Sequence, residues 1–266
     1  MSAETEPRWL AFDTSTDVLS LGVARGDHVW TQTLPGGAQA SSNLIPAVLV
    51  MLAEAEMPLA SLDAIVFGRG PGSFTGLRTA CAVAQSLAFG AGVPVLPVDT
   101  LLAVAEEARW SQVQAGRLKP DAELTVMALL DARMDEVYSA AYHWQPVQGE
   151  GCWQATAPLQ VSAPENIPSE ASLRLPKACA LLLAGNAFVA YGQRLVSTAA
   201  PRCEALPTAS ALLRLAPAMW AQGLAVPAEQ AMPLYIRDKV ANTTAEREAL
   251  KALALQAHQA QAAVQP

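Results

Sequence analysis

The sequence predicts an α/β protein made of two similar halves. Each half begins with an apolar strand that ends in an aspartate, followed by a short polar turn and a second strand. These elements are residues 9–12, Asp13 and 19–24 in the first half, and residues 124–130, Asp131 and 137–144 in the second. The repeated order predicts a duplicated α/β unit with a mixed central sheet.

The first half continues with alternating strands and helices. Further strands are predicted at residues 29–34, 64–67 and 93–98, and helices are predicted from Leu77 to about Ala91 and from Leu101. An earlier helix can be N-capped by Ser41 or Ser42, with an apolar face formed by Leu44, Val48, Leu49 and Leu52. We assign residues 1–108 to an N-terminal lobe.

The second half has a less regular pattern. Pro and Gly residues between about 145 and 176 predict a loop-rich connector, before a buried strand at 179–184. A last helix at about 208–224 has candidate apolar positions Leu212, Leu213, Leu215 and Met219. We assign residues 109–240 to a C-terminal lobe, whose last helix can pack back on the N-terminal lobe. Residues 241–266 are expected to be a helical or disordered tail.

Composition limits the classes of protein. The chain has 266 residues, is 52% hydrophobic and 15% charged, and carries a net charge of −7. An acidic chain has few cations to spare for phosphates, so unaided nucleic-acid binding is not expected. The four cysteines, at 81, 152, 179 and 203, are far apart and read as reduced thiols. With no apolar leader and no membrane span predicted, we expect a cytoplasmic protein.

The most specific stretch is a glycine-rich loop between a strand and a helix. Residues 68–78 read Gly-Arg-Gly-Pro-Gly-Ser-Phe-Thr-Gly-Leu-Arg. A strand, a glycine-rich turn and a helix together aim backbone N–H groups at an anion or at a closely packed neighbour. The spacing is not the G-x-G-x-x-G of dinucleotide-binding proteins, and there is no Gly-Lys-Ser/Thr as in a Walker loop.

This loop, together with three other blocks, resembles the TsaB (YeaZ) family. The blocks are Phe-Asp-Thr-Ser-Thr at 12–16, Asp-Ala-Arg-Met-Asp-Glu-Val-Tyr at 131–138 and Pro-Leu-Tyr-Ile-Arg at 233–237. The resemblance covers about residues 8–240. It implies the fold of the actin, hexokinase and Hsp70 ATPase superfamily, with two RNase H-like halves, central mixed sheets and flanking helices.

The resemblance also implies a phosphate site, which we expect to be vestigial. Residues 13–15 match the first phosphate loop of the superfamily, although these residues also commonly cap a simple turn. A second phosphate loop needs glycine after its aspartate, but Ala132, Arg133 and Met134 follow Asp131. The vestigial phosphate-loop residues are predicted to be Asp13, Thr14, Ser15, Gly70, Gly72, Ser73, Gly76 and Asp131.

Catalytic alternatives receive little support from the residues. TsaD, the related catalytic subunit, carries a metal-binding His-x-x-x-His pair, whereas His28, His143 and His258 are far apart here. We therefore predict no metal site and no catalytic residues, and we disfavour a glycoprotease-like metallopeptidase. A small-molecule kinase or ATPase remains the main alternative, but tight nucleotide binding by the isolated chain is not expected. ATP or ADP at a junction with TsaD is left open.

A stripe of small residues on the helix from Leu77 has two interpretations. It is either the buried side of a core helix or a surface for a partner. In the TsaB family the two N-terminal helices pair with TsaD, or with a second copy when TsaD is absent. On that resemblance the interface residues are predicted to be Leu77, Arg78, Cys81, Ala84, Gln85, Ala88, Leu44 and Val48.

The resemblance therefore implies a non-catalytic subunit. It would bind and activate TsaD for transfer of a threonylcarbamoyl group to N6 of the adenosine 3′ of the tRNA anticodon, with TsaE as a further partner. Contact with tRNA would occur only through the complex. Gly72→Val should weaken pairing if Gly72 has a positive φ.

Overall fold

The computed structural model describes residues 6–147, 150–168, 179–195 and 199–237. The described residues up to Ile236 form one compact unit, which contains the predicted N-terminal lobe and the predicted C-terminal lobe as far as residue 236, and a second unit begins at Arg237. The predicted tail at 241–266 lies outside the described residues. All the contacts discussed below lie within the first unit.

The first half is built on a five-stranded mixed sheet. Its strands are β1 (Arg8–Asp13), β2 (Val18–Arg25), β3 (His28–Pro35), β4 (Ala64–Gly70) and β5 (Val95–Asp99). They lie in the order β3-β2-β1-β4-β5. Strands β1, β2 and β3 pair antiparallel, whereas β4 and β5 continue the sheet in parallel with β1. Asp13 therefore lies at the carboxyl end of the central strand.

The second half repeats this arrangement. Its strands are β6 (Leu124–Arg133), β7 (Glu136–Val147), β8 (Glu150–Ser162), β9 (Ala180–Gly185) and β10 (Arg202–Cys203). They lie in the order β10-β9-β6-β7-β8, with the same antiparallel and parallel pairings. The duplication predicted from the two strand–aspartate–turn patterns is confirmed. Both halves therefore share one strand order and one set of pairings.

Helices alternate with the two sheets in layers. They are α1 (Ala40–Glu54), α2 (Phe74–Ala91), α3 (Thr100–Gln114), α4 (Ala187–Tyr191) and α5 (Ala209–Ala221). Because side chains alternate along a strand, Leu10 and Phe12 of β1 pack under α1 and α2, whereas Trp9 and Ala11 pack against α5. Helix α3 packs on the inner face of the second sheet and α4 on its outer face.

A buried ionic cluster lies where α3 and α5 meet between the sheets. Glu106 is 3% exposed and accepts hydrogen bonds from Arg109, Arg214 and the indole N–H of Trp153. The neighbouring Glu107 accepts hydrogen bonds from Arg214 and from the hydroxyl of Thr208. Residues from α3, α5 and β8 thus share one network.

The expectation of a loop-rich connector was wrong in part. The proline- and glycine-containing region near 145–176 includes strand β8 rather than only a loop, because β8 is an edge strand and tolerates Pro158. The pairing of β7 with β8 also shifts register around that proline, between Ala141↔Ala157 and Ser139↔Gln160. The irregular pairing therefore accommodates Pro158, which could not donate a hydrogen bond within a central strand.

The helix boundaries also differ from the sequence expectation. Helix α1 starts at Ala40 after Gln39, with no side-chain cap, so neither Ser41 nor Ser42 is its N-cap. Leu49 is 56% exposed and does not belong to the buried face of α1. Helix α2 starts at Phe74, three residues before the expected Leu77.

Candidate functional site

The glycine-rich loop packs directly on the turn that follows β1. The backbone N–H of Ser73 donates to the carbonyl oxygen of Ser15 at 2.7 Å. The hydroxyl of Thr14 donates to the carbonyl oxygen of Gly76, also at 2.7 Å. Residues 13–15 and the glycine-rich loop are therefore bonded directly to each other.

The glycines permit this close approach. A Cβ at Gly76 would overlap the carbonyl oxygen of Thr14, and one at Gly72 would lie 2.5 Å from the Cβ of Ser15. Gly72 does not have a positive φ, so the reason given for a Gly72→Val effect was wrong, and the restriction comes from Ser15. Gly70 does have a positive φ, of 122°, and lies against the carbonyl of Leu234.

Asp13 is buried beneath this contact. Its Oδ1 accepts hydrogen bonds from the backbone N–H of Ser15, at 2.8 Å, and from the Ser15 hydroxyl. Its Oδ2 accepts from Thr100 at 3.5 Å and faces Gly68, where a Cβ would overlap it. Loss of solvation raises the pKa of Asp13 to about 6, although the hydrogen bonds from Ser15 and Thr100 oppose that rise.

This raised pKa predicts how stability depends on pH. Because the folded chain holds the Asp13 proton more tightly than the unfolded chain, the contribution is fully present below about pH 4 and is lost as pH rises through about 6. Asp13→Asn should remove up to about 3 kcal/mol of this pH dependence. Urea unfolding of both forms across this range measures it, and Asp27→Asn, at an exposed site, is the control. An unchanged pH profile in Asp13→Asn would contradict the assignment.

The turn of the second half is also held by the chain's own groups. Asp131 accepts hydrogen bonds from the hydroxyl of Tyr191 and from the backbone N–H of Arg133, each at 2.8 Å. The backbone N–H of Asp131 donates to the side-chain oxygen of Asn186. The guanidinium of Arg133 pairs with Asp131 at 3.2 Å and with Asp17 at 2.6 Å. Arg133 therefore connects the β6–β7 turn to the β1–β2 turn.

The residues after Asp131 adopt an uncommon backbone conformation. The φ values of Arg133, Met134 and Asp135 are 59°, 54° and 64°. Residues other than glycine rarely adopt this left-handed region. Arg194 pairs with Asp135 of this turn and also with Glu165, which lies in a later segment of the chain. The turn is thus formed by residues with large side chains although its backbone conformation favours glycine.

Comparison with known proteins identifies the family of this chain. A family model described as "TsaD: tRNA N6-adenosine threonylcarbamoyltransferase" matches residues 35–245. The "tRNA threonylcarbamoyladenosine biosynthesis protein TsaB" of Haemophilus influenzae is 33% identical over 236 residues, covering 87% of this chain and 94% of the relative. The protein of the same name from Escherichia coli is 31% identical, covering 88% and 96%. The chain belongs to the TsaB (YeaZ) family.

A solved structure agrees with this assignment. The chain is similar to YeaZ from Pseudomonas aeruginosa, with a TM-score of 0.73 and 35% sequence identity. The similarity covers 86% of this chain and 99% of that one. The two-lobed core described above is therefore shared with a YeaZ protein over nearly its whole length.

The three histidines of this TsaB-family chain do not form a metal site in the residues that the structure describes. His28 is exposed on β3, and His143 is buried on β7. His258 lies outside the described residues. Within the described ranges no three His, Cys, Asp or Glu side chains are arranged to hold a metal ion. In the same ranges no helix is long and apolar enough to span a membrane.

Most of the predicted interface residues lie inside the protein. Six of them are 6% exposed or less: Leu44, Val48, Leu77, Cys81, Ala84 and Ala88. All of these except Leu77 belong to the core between the first sheet and its two outer helices. Their placement on a partner surface was wrong, because the small side chains let α2 approach its own sheet and α1. The buried-core interpretation of the stripe is the correct one for these positions.

The other two predicted interface residues contact a later segment of the same chain. Gln85 donates to the carbonyl oxygen of Ala231 at 2.9 Å. Arg78 donates to the hydroxyl of Tyr235 at 3.0 Å and lies 3.7 Å above the ring of Phe74. The 224–236 segment therefore packs along α2. The N–H of Leu234 also donates to the carbonyl of Arg69.

The sequence analysis missed a set of exposed apolar side chains on the same two helices. They are Ile45, Leu49 and Val50 of α1, which are 42%, 56% and 56% exposed, and Phe89 of α2, which is 82% exposed. We call them the exposed apolar set. The signal was present in the sequence, since these residues lie on α1 and α2 but off the 44, 48 and 52 stripe that faces the core.

Proposed function

We propose that this chain is a non-catalytic subunit in the biosynthesis of threonylcarbamoyladenosine in tRNA. It would bind TsaD and support the transfer of threonylcarbamoyl to N6 of the adenosine 3′ of the anticodon. The names of the relatives and of the family model support the pathway. The observation that carries the non-catalytic role is the direct bonding of the glycine-rich loop to residues 13–15.

This bonding argues against phosphate chemistry by the isolated chain. Backbone groups of Ser73 and Gly76 are bonded to Ser15 and Thr14, and Asp13 is already bonded to Ser15. A phosphate would have to displace these bonds, at a cost of about 1 kcal/mol for each. A kinase or ATPase acting alone is therefore the weaker candidate. ATP or ADP at a junction with TsaD remains part of the proposal.

The exposed apolar set supports a partner surface on α1 and α2. Large apolar side chains that stay in water on two neighbouring helices are typical of a surface that is covered in a complex. We propose that TsaD covers it, that a second copy of this chain covers it when TsaD is absent, and that TsaE joins the TsaD complex. The net charge of −7 supports contact with tRNA only through the complex.

A pair of charge substitutions tests the surface. Leu49→Glu and Phe89→Glu should each weaken binding to the cognate TsaD by at least about tenfold, because a carboxylate would be desolvated in the interface. Light scattering of the mixture and titration calorimetry measure the complex. Since both side chains are exposed, the variants should keep the thermal unfolding midpoint of the parent chain.

The matched control is Val189→Glu on α4, at a residue that is 76% exposed on the second half. It should bind TsaD like the parent chain. Equal binding by all the variants would contradict the α1–α2 surface, even if a complex forms. A threonylcarbamoyl transfer rate that is the same with and without this chain would contradict the proposed function itself.

A further inference from the structure

Three reactive side chains converge at one end of the outer face of the second sheet. Thr125 of β6 lies opposite His143 of β7, and on its other side it pairs with Leu181 of β9. Cys179 stands two residues before Leu181, so side-chain alternation places it on the same face. The fold therefore brings a thiol, a hydroxyl and an imidazole together from three neighbouring chain segments.

The distances make this group a hydrogen-bonded cluster. The sulfur of Cys179 lies 3.6 Å from Nδ1 of His143 and 3.4 Å from Oγ1 of Thr125. Oγ1 of Thr125 lies 3.2 Å from the same Nδ1. On the far side of the ring, Nε2 lies 3.9 Å from a carboxylate oxygen of Glu123.

The surroundings suit a thiol with an adjacent base. Nδ1 is the ring nitrogen of His143 that lies 3.6 Å from the sulfur, so it is the atom placed to accept the proton of the thiol. His143 is 6% exposed, whereas Cys179 is partly exposed. A small reagent can therefore reach the sulfur while the imidazole stays fixed between strands. A nucleophile beside a base is the arrangement that activates side-chain nucleophiles.

We propose that Cys179 is a peroxide-sensitive thiol and that His143 accepts its proton. In the reaction with hydrogen peroxide the thiolate attacks one peroxide oxygen, an S–O bond forms and the O–O bond breaks. The leaving hydroxide takes the proton from the imidazolium and departs as water. Sulfur is oxidised by two electrons to the sulfenic acid, peroxide is reduced by two electrons, and His143 returns to its neutral form.

The other cysteines lack this arrangement. Cys81 is buried, its sulfur donates to the carbonyl of Ala231, and burial raises the pKa of its thiol. The sulfur of Cys203 contacts Ser111 and Gln112, and that of Cys152 contacts the carbonyl of Trp153. Cys152 and Cys203 are partly exposed, so they serve as internal comparisons for access alone.

The test is site-resolved oxidation of the full chain. The protein is treated with hydrogen peroxide in the presence of dimedone, which traps sulfenic acids, and the rate at each cysteine is read by peptide mass spectrometry. Cys179 should be labelled at least about tenfold faster than Cys152 and Cys203 in the same sample. Equal rates at the three sites would overturn the proposal.

A histidine variant separates proton acceptance from packing. His143→Gln should slow labelling of Cys179 by about tenfold and leave Cys152 and Cys203 unchanged, because glutamine cannot take up the proton. If His143 acted only by packing, its loss would loosen the sheet and speed up labelling of Cys179, and an unchanged or faster rate would overturn the proposal. Buried Cys81 should stay unlabelled, which reports that the variant is folded.

Discussion

Replacing Gly76 with alanine should lower the free energy of unfolding by about 3 kcal/mol, although alanine normally favours a helix. Gly76 lies in the first turn of α2, and a Cβ there would overlap the carbonyl oxygen of Thr14. That carbonyl belongs to a backbone held in place by the bond from Ser73 to Ser15, so the loop and the turn would have to separate. Urea unfolding of the two proteins measures the loss.

Gly90 is the matched control because it lies in the same helix with open space around it. Apart from its chain neighbours and the backbone of its own helix, no atom lies within 4 Å of the position that its Cβ would take. Gly90→Ala should therefore raise the free energy of unfolding by about 0.5–1 kcal/mol, the usual gain for a helical position. A similar gain in Gly76→Ala would show that the loop is not packed on the turn.

This contrast shows what the sequence of the glycine-rich loop predicts about its packing and what it leaves open. The spacing of Gly70, Gly72 and Gly76 correctly predicts that another group approaches the backbone closely. It does not identify that group, because a phosphate and a carbonyl oxygen of the same chain make the same demand on the Cβ position. Only the structure places Thr14 and Ser15 against the loop.

The small-residue stripe of α2 was ambiguous for the same reason. Alanines at 80, 84 and 88 indicate that α2 approaches another element, and both its own sheet and a partner helix satisfy that pattern. The exposed side chain of Phe89 was the better indicator of a surface that a partner could cover. The duplicated sheets, in contrast, were predictable, because apolar alternation and the aspartates at 13 and 131 are local signals.

The ionic cluster between the sheets left no usable signal in the sequence. Glu106 and Arg109 are three residues apart on α3, a spacing that is common on solvated helix faces. Their burial depends on Arg214 and Trp153, which lie far away in sequence on α5 and β8. Long-range pairing of this kind is decided by how the layers pack, not by the local pattern.

Replacing Glu106 with alanine should lower the free energy of unfolding by about 3–5 kcal/mol. Glu106 accepts four hydrogen bonds, including two from Arg109, which is itself only 8% exposed. Without the carboxylate, the guanidinium of Arg109 is left buried without its counter-charge. Urea unfolding measures the effect, with Glu107→Ala as the control. Glu107 is the next residue of α3, but its side chain is 27% exposed, and its loss should cost about 1 kcal/mol.

A double-mutant cycle then separates the cost of the orphaned cation from the value of the ion pair. If the loss in Glu106→Ala comes mainly from the uncompensated Arg109, removing both side chains should cost less than the sum of the two single losses. Additive losses would instead mean that each residue contributes through its own packing, for example Arg109 through the ring of Trp144, 4.5 Å away. A loss in Glu106→Ala no larger than that in Glu107→Ala would contradict the cluster's role.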